Sequence, residues 1–211
     1  MNEIFSITCR IIIISTIDLF HRATEQKNIF EKVNEAVMKN NGGMFFLYEY
    51  GGTGKTFMWS TLSSALRSKG KIVLTVASSG IASLLLPGGR TTHSKFRIPI
   101  PILENSIYNI EQGSDAAQLL RVPHLIIWDE APMTYKFCFE ALDRTLKDIM
   151  KDDITCNSAF GGKVVIFGGD FRQILPVIPR GTRSDIDIDQ EHETYAIRTP
   201  KIYSNKNSTI L

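Results

Sequence analysis

Lys55 and Thr56, preceded by Gly51, Gly52, Thr53 and Gly54, are the first residues whose types and spacing could do chemistry. Glycines let successive backbone N–H groups turn toward one point, and a helix starting there adds partial positive charge, which suits a phosphate. Lys55 would reach the outer phosphates of a nucleoside triphosphate, and the Thr56 hydroxyl would ligate Mg²⁺. Asp129 and Glu130 follow the apolar run Leu125 to Trp128. Asp129 suits a Mg²⁺ held through water, since this ion keeps much of its hydration shell, and Glu130 suits orienting and deprotonating an attacking water. Asp170 and Gln173 follow a third apolar run. The neutral amide of Gln173 can hydrogen-bond a γ-phosphate or a water without adding charge.

Each group has a plainer reading. The glycines could be a simple strand-to-helix turn, the acidic pair a solvated strand end, and Gln173 a loop amide satisfied by backbone. Order along the chain favours chemistry. Met44 to Tyr48 is a short apolar run, the glycines follow, and Met58, Leu62, Ala65 and Leu66 then recur at helical spacing. Strand, glycine loop and helix is the context a phosphate loop needs.

The remaining elements must bring these loops together. Thr24 is an N-cap candidate for a helix carrying Ile29, Phe30, Val33, Ala36 and Val37, stopped by Asn40 to Gly43. Ile72 to Ala77, His124 to Trp128 and Lys163 to Phe167 are near-continuous apolar runs, as in parallel strands covered on both faces. Ser79 to Leu86 is a short helix candidate, and Arg90 to Ser94 reads as a polar loop. Pro99 to Gln118 reads as an irregular insertion before a short helix near Ala116 to Leu120, and Phe137 to Ile149 marks a broad-faced helix with Cys138 on its buried side. Strands alternating with helices predict an α/β doubly wound parallel sheet. Ligands bind such sheets beyond the carboxyl ends of the strands, where the phosphate loop, Asp129 with Glu130, and Asp170 with Gln173 would meet.

The 211 residues suit one well-buried domain with a small insertion. A formal charge of +2 creates no basic field, so any nucleic-acid binding must rest on local contacts. Cys9, Cys138 and Cys156 are too few and too scattered for a disulfide framework or a zinc site, which suits a reducing compartment. Arg10 and Asp18 interrupt the apolar stretch of the first 22 residues, so no membrane span is expected, and no clean cleavage site follows it. Beyond Arg183 the chain turns polar, and residues 184–211 read as an unpacked tail.

The ordered motifs resemble the Pif-one family of superfamily-one DNA helicases, especially the plant group related to Helitron transposon helicases. The matching blocks are Gly51 to Thr56, Thr75 to Ala82 (TVASSGIA), Gly88 to Phe96 (GGRTTHSKF), Leu125 to Met133 (LIIWDEAPM) and Phe167 to Val177 (FGGDFRQILPV), within residues 24–183. The resemblance implies a RecA-like P-loop NTPase domain over residues 23–183, with the insertion at about 97–121 forming a strand-separating wedge. It further implies a monomeric motor using ATP and Mg²⁺ to move 5′ to 3′ on single-stranded DNA and open forked duplexes, inside the cell in the nucleus or the mitochondrion, in a setting of repair, recombination and telomere maintenance. By position, Gln26 resembles the family's adenine-reading glutamine. Gly51, Gly52, Thr53, Gly54, Lys55 and Thr56 take the phosphates, Thr56 and Asp129 take Mg²⁺, Lys55, Glu130 and Gln173 carry catalysis, and Ser78, Ser79, Gly80, Thr91, His93 and Ser94 meet DNA. Alone, His93 would read as an ordinary loop histidine. An unrelated P-loop ATPase or kinase would lack the TVASSGIA and GDFRQ blocks.

The chain departs from the family pattern at two places. Glu49 stands where the phosphate loop has its leading glycine, which predicts impaired nucleotide binding. The family's second motor domain, with the arginine that stabilises the transferring phosphoryl group, has no counterpart in these residues, so the expectation is a fragment or a binding module without turnover. The first 22 residues read as a divergent extension.

Overall fold

The computed structural model describes residues 19–48 and 54–170, with side chains from Gln26 to Leu47 and from Gly54 to Asp170. The expected divergent extension through residue 18 and the polar tail lie outside these residues.

Helix α1 spans Leu19–Lys39 and buries Ile29, Val33 and Val37, one face of a 3.6-residue period. It starts before Thr24, so that residue is not its N-cap. Asn40, with φ 49°, and Gly42, with φ 61°, end it in left-handed turns. Strand β1 (Gly43–Tyr48) precedes the glycine-rich segment of the sequence, and α2 (Lys55–Ser68) follows it. Strand β2 is Val73–Ala77, and α3 is Gly80–Leu84, capped by Ser79, whose Oγ accepts from the Ala82 amide at 3.1 Å.

The polar loop expected at Arg90 to Ser94 is instead a two-residue strand, β3 (Arg90–Thr91), running into α4 (Thr92–Phe96). Thr91 Oγ1 accepts from the Ser94 amide, and Thr92 and Phe96 are buried. Burial of those two side chains and the cap outweigh the local polar composition. Helix α5 (Asp115–Arg121), strand β4 (Leu125–Asp129), helix α6 (Lys136–Ile149) and strand β5 (Val164–Gly169) follow.

The strands form one parallel sheet in the order β1-β5-β4-β2-β3. Phe45, Leu47, Val73, Ala77, Leu125, Ile127, Val164 and Ile166 pack one face against α1 and α2. Met44, Phe46, Val76, Ile126, Trp128, Val165 and Phe167 pack the other against α5 and α6. The alternation is the period-two pleat of strands buried on both sides, and the expected doubly wound architecture is present.

The insertion is better anchored than its composition suggests. Tyr108 is buried; its Oη donates to the Cys138 carbonyl at 2.6 Å, and its amide donates to Thr145 Oγ1 at 3.0 Å. Arg144 binds the carbonyls of Glu104 and Ser106. These contacts clamp the irregular chain to α6.

Candidate nucleotide site

Gly54 is the described end of the phosphate loop. Its φ of 95° lies in the left-handed region that a side chain resists, and its carbonyl accepts the Met58 amide at 3.0 Å to begin α2. Lys55 and Thr56 are therefore in the first helical turn, where free amides and the helix dipole face outward. A Cβ built on Gly54 would lie 3.7 Å from Gln26 Nε2, so α1 carries Gln26 to the loop. Gly51, Gly52, Thr53, Glu49 and Gln173 lie outside the described residues.

The sheet register sets the rest. Ala77 pairs with both Asp129 and Thr91, so β2, β3 and β4 end level with one another. Beside them, Trp128 pairs with Phe167, which brings Asp170 beyond the end of β5 close to the end of β4. Lys55 lowers the pKa values of Asp129 and Glu130 electrostatically, while Asp170 raises that of Glu130. One ammonium and three carboxylates from α2, β4 and β5 thus share one edge of the sheet.

Asp129 is 6% exposed. Burial raises its pKa, opposed by the Trp59 indole N–H, the Glu130 backbone N–H and Lys55. Trp59 Nε1 and Asp129 Oδ1 are both sealed from solvent without a hydrogen bond of full geometry, so the influence of Trp59 is that of a nearby dipole. Glu130 is half-buried and is raised by burial and by Asp129, then lowered by Lys55. Its backbone is left-handed, with φ 52°, unusual for a residue with a side chain and typical of strain held at a functional turn. A 3₁₀ turn, Ala131–Met133, follows it directly.

This donor set fits Mg²⁺. The ion takes one or two protein oxygens and completes its octahedron with water and phosphate. Asp129 ends β4 with its carboxylate beside Glu130 and Lys55, and the Thr56 hydroxyl lies in the exposed first turn of α2. Among the described residues no cluster of three or more His, Cys, Asp or Glu could cage a metal without substrate. Cys138 is inert, its thiol pushed up to about 11 by burial.

The residues expected to meet DNA fall at the ends of β2 and β3, next to the acidic edge. Gly80 and His93 are exposed, as is Ser94, and Thr91 is half-buried as the α4 cap. Ser79 caps α3 with its hydroxyl. Ser78 is engaged inside the protein, its Oγ accepting from Trp128 Nε1 at 2.9 Å and lying 2.6 Å from Thr134 Oγ1. The sequence reading missed Trp59, Trp128 and Thr134. The signal available was that a buried indole N–H demands a partner.

The PIF1-like helicase family model matches residues 22–202. ATP-dependent DNA helicase PIF1 of Candida albicans is 28% identical over 83% of this chain and 20% of its own length. ATP-dependent DNA helicase Pif1 of Psychrobacter is 31% identical over 66% of this chain and 21% of its own length. This chain thus spans about a fifth of those curated relatives. Among solved structures, Bacteroides Pif1 in complex with ADP-AlF3 and ssDNA superposes with a TM-score of 0.58 at 28% identity, over 76% of this chain and 36% of that one. Candida albicans Pif1 gives a TM-score of 0.58 at 26% identity, over 77% and 35%. With a matching sheet, a matching order of motifs and a family model covering most of its length, the chain belongs to the PIF1-like helicase family.

Proposed function

We propose that this chain is the first, nucleotide-gripping motor domain of an ATP-dependent DNA helicase that moves 5′ to 3′ on single-stranded DNA and opens forked duplexes. The observation that carries this reading is the gathering of Lys55, Asp129, Glu130 and Asp170 at one edge of the sheet, beside Gly54. The Bacteroides relative in complex with ADP-AlF3 and ssDNA supports nucleotide and single-stranded DNA as the ligands.

Bound Mg²⁺·ATP would supply an electrophilic phosphorus whose negative charge the metal screens. Lys55 neutralises phosphate oxygens at the helix terminus. Thr56 and Asp129 would hold the hydrated ion, and burial of Asp129 would strengthen its hold by excluding water. Glu130, with its pKa raised, accepts a proton from the attacking water, and Gln173 senses the γ-phosphate. Gln26 meets the adenine, while Gly51, Gly52 and Thr53 complete the cradle. Ser79, Gly80, Thr91, His93 and Ser94 hold DNA phosphates through hydroxyls, ring nitrogen and backbone amides, which needs no strongly basic field. The wedge is the exposed side of the insertion at Ile100, Leu103 and Ile107. We place the protein, as a monomer, in the nucleus, in repair, recombination and telomere maintenance.

Phosphate release from the purified chain, with and without oligo(dT), tests the reading against Lys55→Ala. DNA-stimulated release above that control is expected. Glu49 favours a second reading, a nucleotide- and single-strand-binding module without turnover; binding of both ligands with no release above the control would select it.

A further inference from the structure

The edge of the sheet that carries the acidic cluster also carries the loops assigned to DNA, and one hydrogen-bonded junction lies between them. Ser78, the first residue beyond β2, is bound to β4 by its own backbone, its amide donating to the Asp129 carbonyl at 3.0 Å. Its hydroxyl accepts from Trp128 Nε1 at 2.9 Å and shares a hydrogen with Thr134 Oγ1 at 2.6 Å. An indole N–H only donates, so the Ser78 oxygen is held at a defined point between strand β4 and the turn that follows Glu130. Thr134 is buried and directly follows the 3₁₀ turn that begins after Glu130.

We propose that Thr134 is a positioning residue that couples the two ligand sites through Ser78. The inference rests on the proposed helicase reading and deepens it. A metal-bound nucleotide acts on Asp129 and Glu130, and any shift of the strained Glu130 turn displaces Thr134. Thr134 carries Ser78 with it, and Ser79, the next residue, caps α3. Movement at the acidic edge is thereby transmitted to the start of α3, where Gly80 is exposed. The far side of this junction is rigid. Trp128 is fully buried, and its ring lies 4.9 Å from that of Phe139, 5.6 Å from that of Phe96 and 5.8 Å from that of Phe167. The indole is a fixed post, so the hydroxyl pair is the part free to respond. Ser78 is consequently a coupling residue rather than a phosphate contact.

The test measures the affinity of the chain for fluorescent oligo(dT) by anisotropy, with and without saturating Mg²⁺·ADP and aluminium fluoride. The ratio of the two affinities is the coupling factor, a binding quantity separate from turnover. The wild type is expected to show a ratio of several-fold. Thr134→Val, which keeps shape and removes the hydroxyl, is expected to bring the ratio to about one while DNA affinity without nucleotide stays within about twofold, and Thr134→Ser to restore it. A Thr134→Val protein with the wild-type ratio overturns the coupling, as does a wild type that binds both ligands with a ratio of one. A wild type that binds neither refutes the helicase reading itself. Where Thr134→Val fails to fold, Thr134→Ala, which removes the same hydroxyl with less volume at the buried position, carries the same expectation.

Discussion

Trp59 and Asp129 meet across Gly168: a Cβ built on that glycine would lie 2.4 Å from Trp59 Cζ2 and 3.3 Å from Asp129 Oδ1. The helix that presents Lys55 is therefore seated on the strands that present the acids, with no room for even one methyl group. Trp59 is the residue one helical turn after Lys55, so its seating sets the height of the lysine above the sheet.

Gly168→Ala follows directly from that contact. Forcing a methyl into a close-packed interior costs roughly 1–3 kcal/mol, and the ring of a buried tryptophan has nowhere to go. A lower melting temperature is expected, together with weaker Mg²⁺-dependent nucleotide binding because both Trp59 and Asp129 are displaced. Thermal unfolding and nucleotide titration check the two effects; unchanged values in both would show that the helix and strand are not in the described contact.

Burial raises the pKa values of Asp129 and Glu130 above the ordinary carboxylate range. Such groups bind protons more tightly when folded, so between the ordinary and raised values the folded state carries more protons and stability falls as pH rises. Above the raised values the cost is present in full. Asp129→Asn removes its share, and a higher melting temperature than wild type is expected at neutral pH, with the difference shrinking as pH falls through the raised value toward the ordinary one. Equal melting temperatures at neutral pH would contradict this, and so would a difference that does not vary with pH.

Glu49→Gly addresses the departure in the phosphate loop. Two like charges about 4 Å apart repel by around 4 kcal/mol at an effective dielectric near 20, or about a thousandfold in affinity. Tighter binding of a fluorescent ATP analogue is expected in the variant, by up to that factor and by less where the carboxylate turns to solvent. Equal affinities would refute the repulsion.

Tyr108→Phe tests the clamp between the insertion and α6. The substitution strips the hydroxyl that donates to the Cys138 carbonyl in a buried setting. The Cys138 carbonyl keeps its place in the α6 ladder, so the loss is that of one hydrogen bond, about 0.5–1.5 kcal/mol, and a lower urea midpoint is expected with an unchanged slope. A midpoint equal to that of wild type would show that the clamp contributes nothing to stability.

The apolar runs, the glycines before Lys55 and the acids after Trp128 were enough to specify a parallel sheet with those motifs at one edge. Those features are local: strand burial on both faces and the turn chemistry of a phosphate loop are written in consecutive residues. Membership of the family was legible for the same reason, since its motifs are short blocks in fixed order. Only the tertiary structure decided that Arg90–Thr91 pairs with β2, that Tyr108 ties an irregular stretch to α6, and that Ser78 turns inward to Trp128 and Thr134. Each of those outcomes joins residues 14 to 56 positions apart and depends on which strands lie side by side. Sequence spacing carries no record of that, because the energy comes from burial and hydrogen-bond partners that exist only once the sheet has formed.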